Sequence, residues 1–262
     1  MKAMILAAGL GTRLRPLTNT MPKPLLPVGG TPLILWNLLL LRRHKFRDVV
    51  INLHHLGPMI EHALGDGHRF GLRITYSREP VVLGTGGALK QVESQFSGQP
   101  MLVMNGDTLI EIDLEELADL HLSRKPVATM VLREDPEAGR WGLVEIDEAH
   151  RIQRINGNGR INPSGHVPRM FAGVHILHPR LLRRLPPAGK PSNIIDAYVQ
   201  ALHDEETLLG YDAQGYWSDV GTPERYAQAE RDVLDGRLRL ADRQQPAGSE
   251  PASIPQDRRV AS

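Results

Sequence analysis

The amino-acid sequence predicts an α/β fold: a doubly wound, mainly parallel mixed sheet with helices on both faces. Three observations carry this expectation. Strand-like and helix-like segments alternate through residues 1–130, the order of successive βαβ units. The run Met101–Asn105 (MLVMN) is apolar enough for a buried strand. Right-handed crossovers between such strands place the helices on both faces of the sheet.

Along the chain, Met4–Ala7 is a short apolar run that ends in a glycine-rich turn. Leu33–His44 has the apolar density of a helix lying on a sheet. Its run LILWNLLLL is nine residues long, interrupted by Asn37 and closed by Arg42 and Arg43, well short of the about 20 apolar residues a membrane span needs. Val49–Leu53 (VVINL) is a β-branched strand, and His55–Leu64 is a helical stretch closed by Gly65-Asp66-Gly67. Leu72–Tyr76 alternates as a strand does, Gly86–Gln95 forms a helix that begins in a glycine-rich loop, and Leu114–Ser123 is helical before the strand Ala128–Leu132. The second half is less regular. Gly142–Ile146 and Arg151–Ile155 suggest a hairpin, and Asn156–Pro168, rich in Gly, Pro and Asn, a loop or flap. Phe171–Leu177 is strand-like, and a basic helix starts at His178–Leu185. Asn193–Leu202 is a helix, Thr207–Tyr211 a strand and Pro223–Leu234 a final amphipathic helix. Residues 1–240 form one folded unit on this reading, and the polar, Pro-containing stretch 241–262 a disordered tail.

Composition narrows the function classes. The 262 residues carry 31 Lys and Arg against 30 Asp and Glu, a net charge of +1. Neither sign dominates the field, so neither a nucleic acid polymer nor an anionic membrane is an expected partner. The absence of cysteine removes disulfides, thiolate nucleophiles and cysteine-ligated metals, and fits a cytoplasmic location. Residues 1–9 (MKAMILAAG) fit a buried first strand better than a secretory signal, because Gly-Leu-Gly-Thr-Arg follows at once.

The chemistry begins at Leu6-Ala7-Ala8-Gly9-Leu10-Gly11-Thr12-Arg13. Glycines there let backbone amides approach anionic oxygens. A dinucleotide fingerprint would need glycine at Leu14, and a P-loop would need Gly-Lys-Ser/Thr, which the chain lacks. What remains is Gly-x-Gly-x-Arg followed by Pro22-Lys23-Pro24. The two prolines would hold Lys23 extended and aim its ammonium. A glycine turn with two fixed cations suits a triphosphate. Asp107 follows the strand MLVMN through Asn105-Gly106, at the sheet edge where open α/β sheets bind ligands. Asp219 follows a short strand-like stretch near Trp217. Two such carboxylates suit Mg²⁺, which is held by one or two acids plus substrate phosphates. Taken singly, Asp107 could equally cap its strand, and Asp219 could cap the last helix.

Gly9-x-Gly11-x-Arg13, Pro22-Lys23-Pro24-Leu25, Gly84-Thr85-Gly86-Gly87-Ala88 and Asn105-Gly106-Asp107, in this order, resemble the sugar-1-phosphate nucleotidyltransferases, the NDP-sugar pyrophosphorylases. The resemblance runs from Met1 to about Leu234. It implies a Rossmann-like, GT-A-like nucleotidyltransferase fold, with a nucleotide-binding half over 1–130 and a sugar-binding half over 131–240. The implied reaction joins a nucleoside triphosphate and a sugar 1-phosphate, releasing pyrophosphate. The resemblance assigns Arg13 and Lys23 to catalysis, Asp107 and Asp219 to Mg²⁺, and Leu6, Ala7, Ala8, Gly9, Gly11, Thr12, Arg13, Thr85, Gly86 and Asn105 to the nucleotide. Free amides in the glycine segment would face the base. Gly142 (in Arg140-Trp141-Gly142-Leu143-Val144), Arg154 and Gly173 would meet the sugar phosphate. Two departures stand out: Gln153-Arg154 replaces the Glu-Lys of many relatives, and Phe171 replaces their Asn. Leu-Gly-Thr-Gly-Gly resembles mannose- and heptose-1-phosphate guanylyltransferases and points to GTP. Phe171-Ala172-Gly173 and His178-Pro179 resemble N-acetylmuramate-1-phosphate uridylyltransferase and point to UTP with an N-acetylmuramate or hexose 1-phosphate. A nucleotide-sugar sensor without turnover is the reading from another class. Either nucleotide-sugar would suit cell envelope polysaccharide synthesis, and the sequence leaves monomer and homo-oligomer open.

Overall fold

The structure, a computed structural model, describes residues 1–136, 138–160 and 166–238; the tail expected over 241–262 lies outside the described residues. β1 (Lys2–Leu6) opens the chain. The helix α1 (Leu17–Thr20) and a small hairpin of β2 (Pro27–Val28) and β3 (Thr31–Pro32) lead to α2 (Leu33–Arg43). Then follow β4 (Asp48–Leu53), α3 (Gly57–Leu64), β5 (Arg73–Arg78), α4 (Gly84–Gln91), β6 (Met101–Asn105), β7 (Thr108–Ile110), α5 (Leu114–Arg124) and β8 (Ala128–Arg133). The second half contains β9 (Leu143–Ile146), β10 (Ile152–Ile155), β11 (Asn158–Gly159), β12 (Val167–Leu177), α6 (Ile194–His203), β13 (Leu208–Asp212), β14 (Trp217–Asp219) and α7 (Pro223–Leu234).

The mainly parallel mixed sheet is present. β5, β4, β1 and β6 lie side by side and parallel. β12 adds antiparallel to β6 and carries β8, which pairs parallel with β13. From β1 the chain moves outward to β4 and β5, then returns to β6 on the other side of β1. Strand order therefore reverses between β1 and β6, which opens a crevice beyond their carboxyl ends. Alternate residues of these strands feed two cores. Ala3, Ile5, Ile51, Leu102 and Met104 pack with Ile34, Leu38 and Ile60 of α2 and α3 on one face. Met4, Val50, Met101 and Val103 pack with Leu89, Tyr198 and Ala201 of α4 and α6 on the other. This period-two division is why the strands read as continuous apolar runs.

Four expectations are corrected. β12 is eleven residues long, longer than Phe171–Leu177, because its first half pairs with β9 while its second pairs with β6. The expected loop over 156–168 accordingly contains β11 and the start of β12, with residues 161–165 outside the described set. The basic helix expected at His178–Leu185 is a 3-10 turn over Pro179–Arg184, tied down by ion pairs of Arg180 and Arg184 with Glu206 and Asp204. The helix expected over Gly86–Gln95 starts two residues earlier and ends at Gln91, passing into a 3-10 turn over Glu93–Phe96. Among the described residues no helix is long and apolar enough to cross a membrane.

Candidate active site

The loop after β1 is fastened from below by buried polar groups. The Ala7 amide donates to Asn52 Oδ1 (2.8 Å) and Asn52 Nδ2 donates to Glu79 Oε1 (2.8 Å). The Leu83 amide donates to Glu79 Oε2 (2.9 Å). Asn52 and Glu79 are both buried, so each finds in the other the partner that burial demands. Above them Gly9 has open space where a side chain would project. Gly11 has φ +62°, and a Cβ on it would lie 2.9 Å from Thr18 Cγ2. Thr18 Oγ1 donates to the Gly11 carbonyl (2.8 Å), and the 3-10 turn over Thr12–Leu14 carries Arg13. Pro22 is extended (ψ 141°), but Lys23 opens a 3-10 turn over Lys23–Leu25 instead of continuing the extended form. Backbone bonds from Leu25 to Pro22 and from Leu26 to Lys23 thus add to the proline rings in fixing its direction.

Lys23 Nζ donates to Asp107 Oδ2 at 2.5 Å. β7 and β14 form a two-stranded ribbon in which Thr108 faces Asp219. Just past that register the Val220 amide donates to the Asp107 carbonyl (2.9 Å). This ribbon brings together two aspartates far apart in sequence. Asp219 Oδ1 accepts from Arg225 Nη1 (2.5 Å). A Cβ on Gly221 would lie 3.0 Å from Arg13 Nη2, so Arg13 reaches the same corner. Burial pushes the Asp219 carboxyl above its ordinary range, and the negative charge of Asp107 pushes the same way; Lys23, Arg225 and Arg13 pull it back. Thr222, not Asp219, caps α7. Two hard oxygen donors, one raised by the other's charge, are the donor set a hard divalent cation takes.

Two cavities meet at this edge. One, of about 270 Å³, is lined by Ala8, Gly9, Lys23, Glu79, Val82 and Asp107 among others. The second, of about 170 Å³, lies under Trp141, Gly142, Asn156, Phe171, His175 and Asn193. They share Leu6, Thr85 and Asn105. Gly173 (φ +78°) lies in a bulge of β12, where a Cβ would come within 2.8 Å of Asn105 Nδ2. It therefore buttresses Asn105 by close approach. Trp141 and Trp217 meet edge-on at 5.1 Å, and the Arg225 guanidinium lies 4.4 Å above the Trp141 ring. These contacts tie the second cavity to the aspartate corner. A further concavity, about 920 Å³, runs beside β13 past His150 and Tyr211 and is lined by none of Gly9, Gly11, Lys23, Asp107 and Asp219.

Two sequence expectations change. The glycine segment does not present free amides at Gly86 and Gly87: both donate to the Ser192 carbonyl, at 2.9 and 3.3 Å. Side chains at 84, 86 or 87 would collide with 190–193, so these glycines serve helix packing. Thr85 joins this packing: its Oγ1 accepts the amide of Ile194 (3.0 Å), the first residue of α6, while Asn193 caps that helix. Arg154 is not among the residues lining the second cavity, whereas its neighbours Ile155 and Asn156 are. Strand alternation puts Ile155 and Arg154 on opposite faces of β10. Asn52, Glu79, His175 and Arg225 were not among the residues expected at the site. Of these, Arg225 was the most accessible, a cation in the first turn of the helix that follows Asp219.

A nucleotidyl transferase family pattern matches residues 2–236. N-acetylmuramate alpha-1-phosphate uridylyltransferase of Neisseria meningitidis is 38% identical over 235 residues, 88% of this chain and 97% of that protein. UTP–glucose-1-phosphate uridylyltransferase of Synechocystis sp. and mannose-1-phosphate guanylyltransferase of Mycobacterium tuberculosis are each 31% identical, across 91% and 89% of this chain. The chain spans 65% of the length of each of those two. A UDP-glucose pyrophosphorylase structure from Acinetobacter baumanii shares the fold, with a TM-score of 0.76 at 20% identity over 89% of this chain and 93% of that one.

Proposed function

Because the chain belongs to the nucleotidyl transferase family, we propose that it joins a nucleoside triphosphate to a sugar 1-phosphate and releases pyrophosphate. The observation that carries this is the convergence of Asp107, Asp219, Lys23 and Arg13 at one sheet edge, where two cavities adjoin. One cavity takes the nucleotide and the other the sugar phosphate, and Leu6 and Asn105 mark their junction.

The sugar phosphate oxygen attacks the α-phosphorus in line, its new P–O bond forming as the bond to pyrophosphate breaks. The nucleophile is already an anion and needs no general base. Leu6–Thr12 cradles the phosphates with backbone amides, and Lys23 and Arg13 neutralise charge that builds on the α-phosphate and the leaving pyrophosphate. Lys23 exchanges its bond to Asp107 for phosphate oxygens as the site fills. Asp107 and Asp219 would hold Mg²⁺, whose chemistry here is neutralisation of the substrate phosphates. Gly142 and the Asn105 that Gly173 buttresses face the sugar.

We favour UTP with an N-acetylated sugar 1-phosphate. The uridylyltransferase matched over nearly its whole length is the most similar of the relatives above. The Leu-Gly-Thr-Gly-Gly spelling that pointed to GTP with mannose or heptose 1-phosphate is explained by packing of those glycines against Ser192. The presence of both acids and both cations disfavours a sensor without turnover. Pyrophosphate release with each of the common nucleoside triphosphates, in the presence and absence of sugar 1-phosphates and Mg²⁺, tests the proposal. Release that needs all three components supports it; nucleotide binding without release contradicts it.

A further inference from the structure

We infer that His175, held by Tyr198 with its proton on Nε2, is the hydrogen-bond donor by which the second cavity selects a sugar 1-phosphate bearing an acyl group. The inference rests on the transfer reaction proposed above and assigns the group that chooses the sugar. His175 lies in β12 between Val103 of β6 and Met130 of β8. It is 2% exposed and lines the cavity.

Its Nδ1 lies 2.5 Å from the hydroxyl of Tyr198, which is fully buried on α6. Among the described residues that nitrogen is the hydroxyl's hydrogen-bond partner. A buried O–H has to donate, and Nδ1 is where it does so. Burial pushes the Tyr198 hydroxyl well above its ordinary pKa and holds the imidazole down to about 3, so both are neutral at any working pH. A neutral imidazole that accepts at Nδ1 carries its proton on Nε2. Phe171 packs against the imidazole, its ring 5.3 Å away and tilted by 41°. With Nδ1 turned to α6, the ring offers an N–H to the cavity.

The rest of the cavity limits what that donor meets. Met130, Val144, Ile155, Phe171 and Ile194 make much of its wall apolar. Trp141 adds a second buried donor, its Nε1 having no partner among the described residues. A sugar hydroxyl and an acylamino group each bring one hydrogen of their own and an acceptor for the imidazole. Only the acyl group adds to its carbonyl an alkyl part that belongs against those walls.

The test compares N-acetylglucosamine 1-phosphate with glucose 1-phosphate, which differ at the acyl-bearing position, using the nucleotide that turns over fastest. Wild type is expected to favour the acylated sugar by roughly 30-fold or more in kcat/KM, since a site built to hydrogen-bond a group rejects analogues lacking it. His175→Phe and the near-isosteric Tyr198→Phe should bring that ratio toward one by raising the acyl sugar's KM, with the nucleotide KM unchanged. His175→Gln, whose amide can donate from a similar place, should keep part of the preference. The 15N resonances of the free protein should show His175 protonated at Nε2 in wild type. A ratio that survives both Phe variants, or a wild type indifferent to the acyl group, overturns the role of His175 while leaving the transfer reaction standing. A proton on Nδ1 overturns it whatever the activity. Absence of transfer with every sugar phosphate instead refutes the proposed reaction.

Discussion

Replacing Asn52 with alanine should weaken the fold and loosen the phosphate loop together. The side chain is 3% exposed and bridges the Ala7 amide to the Glu79 carboxylate. Its removal leaves a backbone N–H without its acceptor and a buried carboxylate with one donor fewer. An orphaned neutral donor costs about 1–3 kcal/mol and a lost bond to a charged group about 1.5–3 kcal/mol. The sum, roughly 2.5–6 kcal/mol, is a large part of a typical stability of about 5–15 kcal/mol. With a urea dependence of about 3 kcal/mol/M, the unfolding midpoint should fall by roughly 1–2 M. Tryptophan fluorescence in urea measures this, and the KM for the nucleotide should rise because Ala7 loses its anchor. In a double-mutant cycle with Glu79→Ala, a coupling of about 1 kcal/mol or more is expected. A loss below about 1 kcal/mol with no coupling would mean that water replaces the network and that it does not seat the loop.

Lys23→Ala or Arg13→Ala should lower kcat by roughly 10²-fold or more, with an unchanged circular dichroism spectrum, because each removes fixed charge from the transferred phosphates; near-normal turnover would take that residue out of the mechanism. Gly221→Ala puts a Cβ 3.0 Å from Arg13 Nη2 and against the Asp219 carboxylate, so steady-state kinetics should show kcat falling at least tenfold while the melting temperature changes by only a few degrees. His121 is 1% exposed, with Nδ1 3.0 Å from Thr129 Oγ1. Burial, then the charges of His178 and Arg180, hold it down to about 4 against an ordinary 6.5. A depressed histidine contributes stability above its unfolded pKa and loses it as pH falls. Wild type should therefore lose up to roughly 3 kcal/mol relative to His121→Gln between pH 7 and 4; urea titrations showing a constant difference over that range would place the charged form comfortably in the fold.

The elements on which these predictions rest were unequally visible in the sequence. Met101–Asn105 and Pro223–Leu234 stand at the residues expected, since a run buried on both faces and an amphipathic period each carry their signal locally. The phosphate loop was legible for a similar reason: Gly11 must adopt a left-handed backbone, and few residues do so cheaply. Asn52 was not legible, because one Asn in VVINL gives no sign that it faces a Glu from another strand. Nor does the spelling of Gly84–Gly87 separate a glycine that approaches a ligand from one that approaches Ser192. Arg154 illustrates the cost of register: one residue along β10 exchanges the cavity for the opposite face. That Asp219 meets Asp107 depends on the β7–β14 ribbon, a pairing across more than a hundred residues that no local pattern encodes.

On the proposed reaction, the two aspartates so paired serve phosphoryl chemistry. The direct measurement is Mg²⁺-dependent pyrophosphate release from UTP and an N-acetylated sugar 1-phosphate by wild type, Asp107→Asn and Asp219→Asn, with melting temperatures taken in parallel. Wild type should release pyrophosphate only with the sugar phosphate present, and both folded variants should lose at least about 10²-fold in rate. Release that persists in either variant would take that carboxylate out of the reaction, and release without the sugar phosphate would refute the transfer itself.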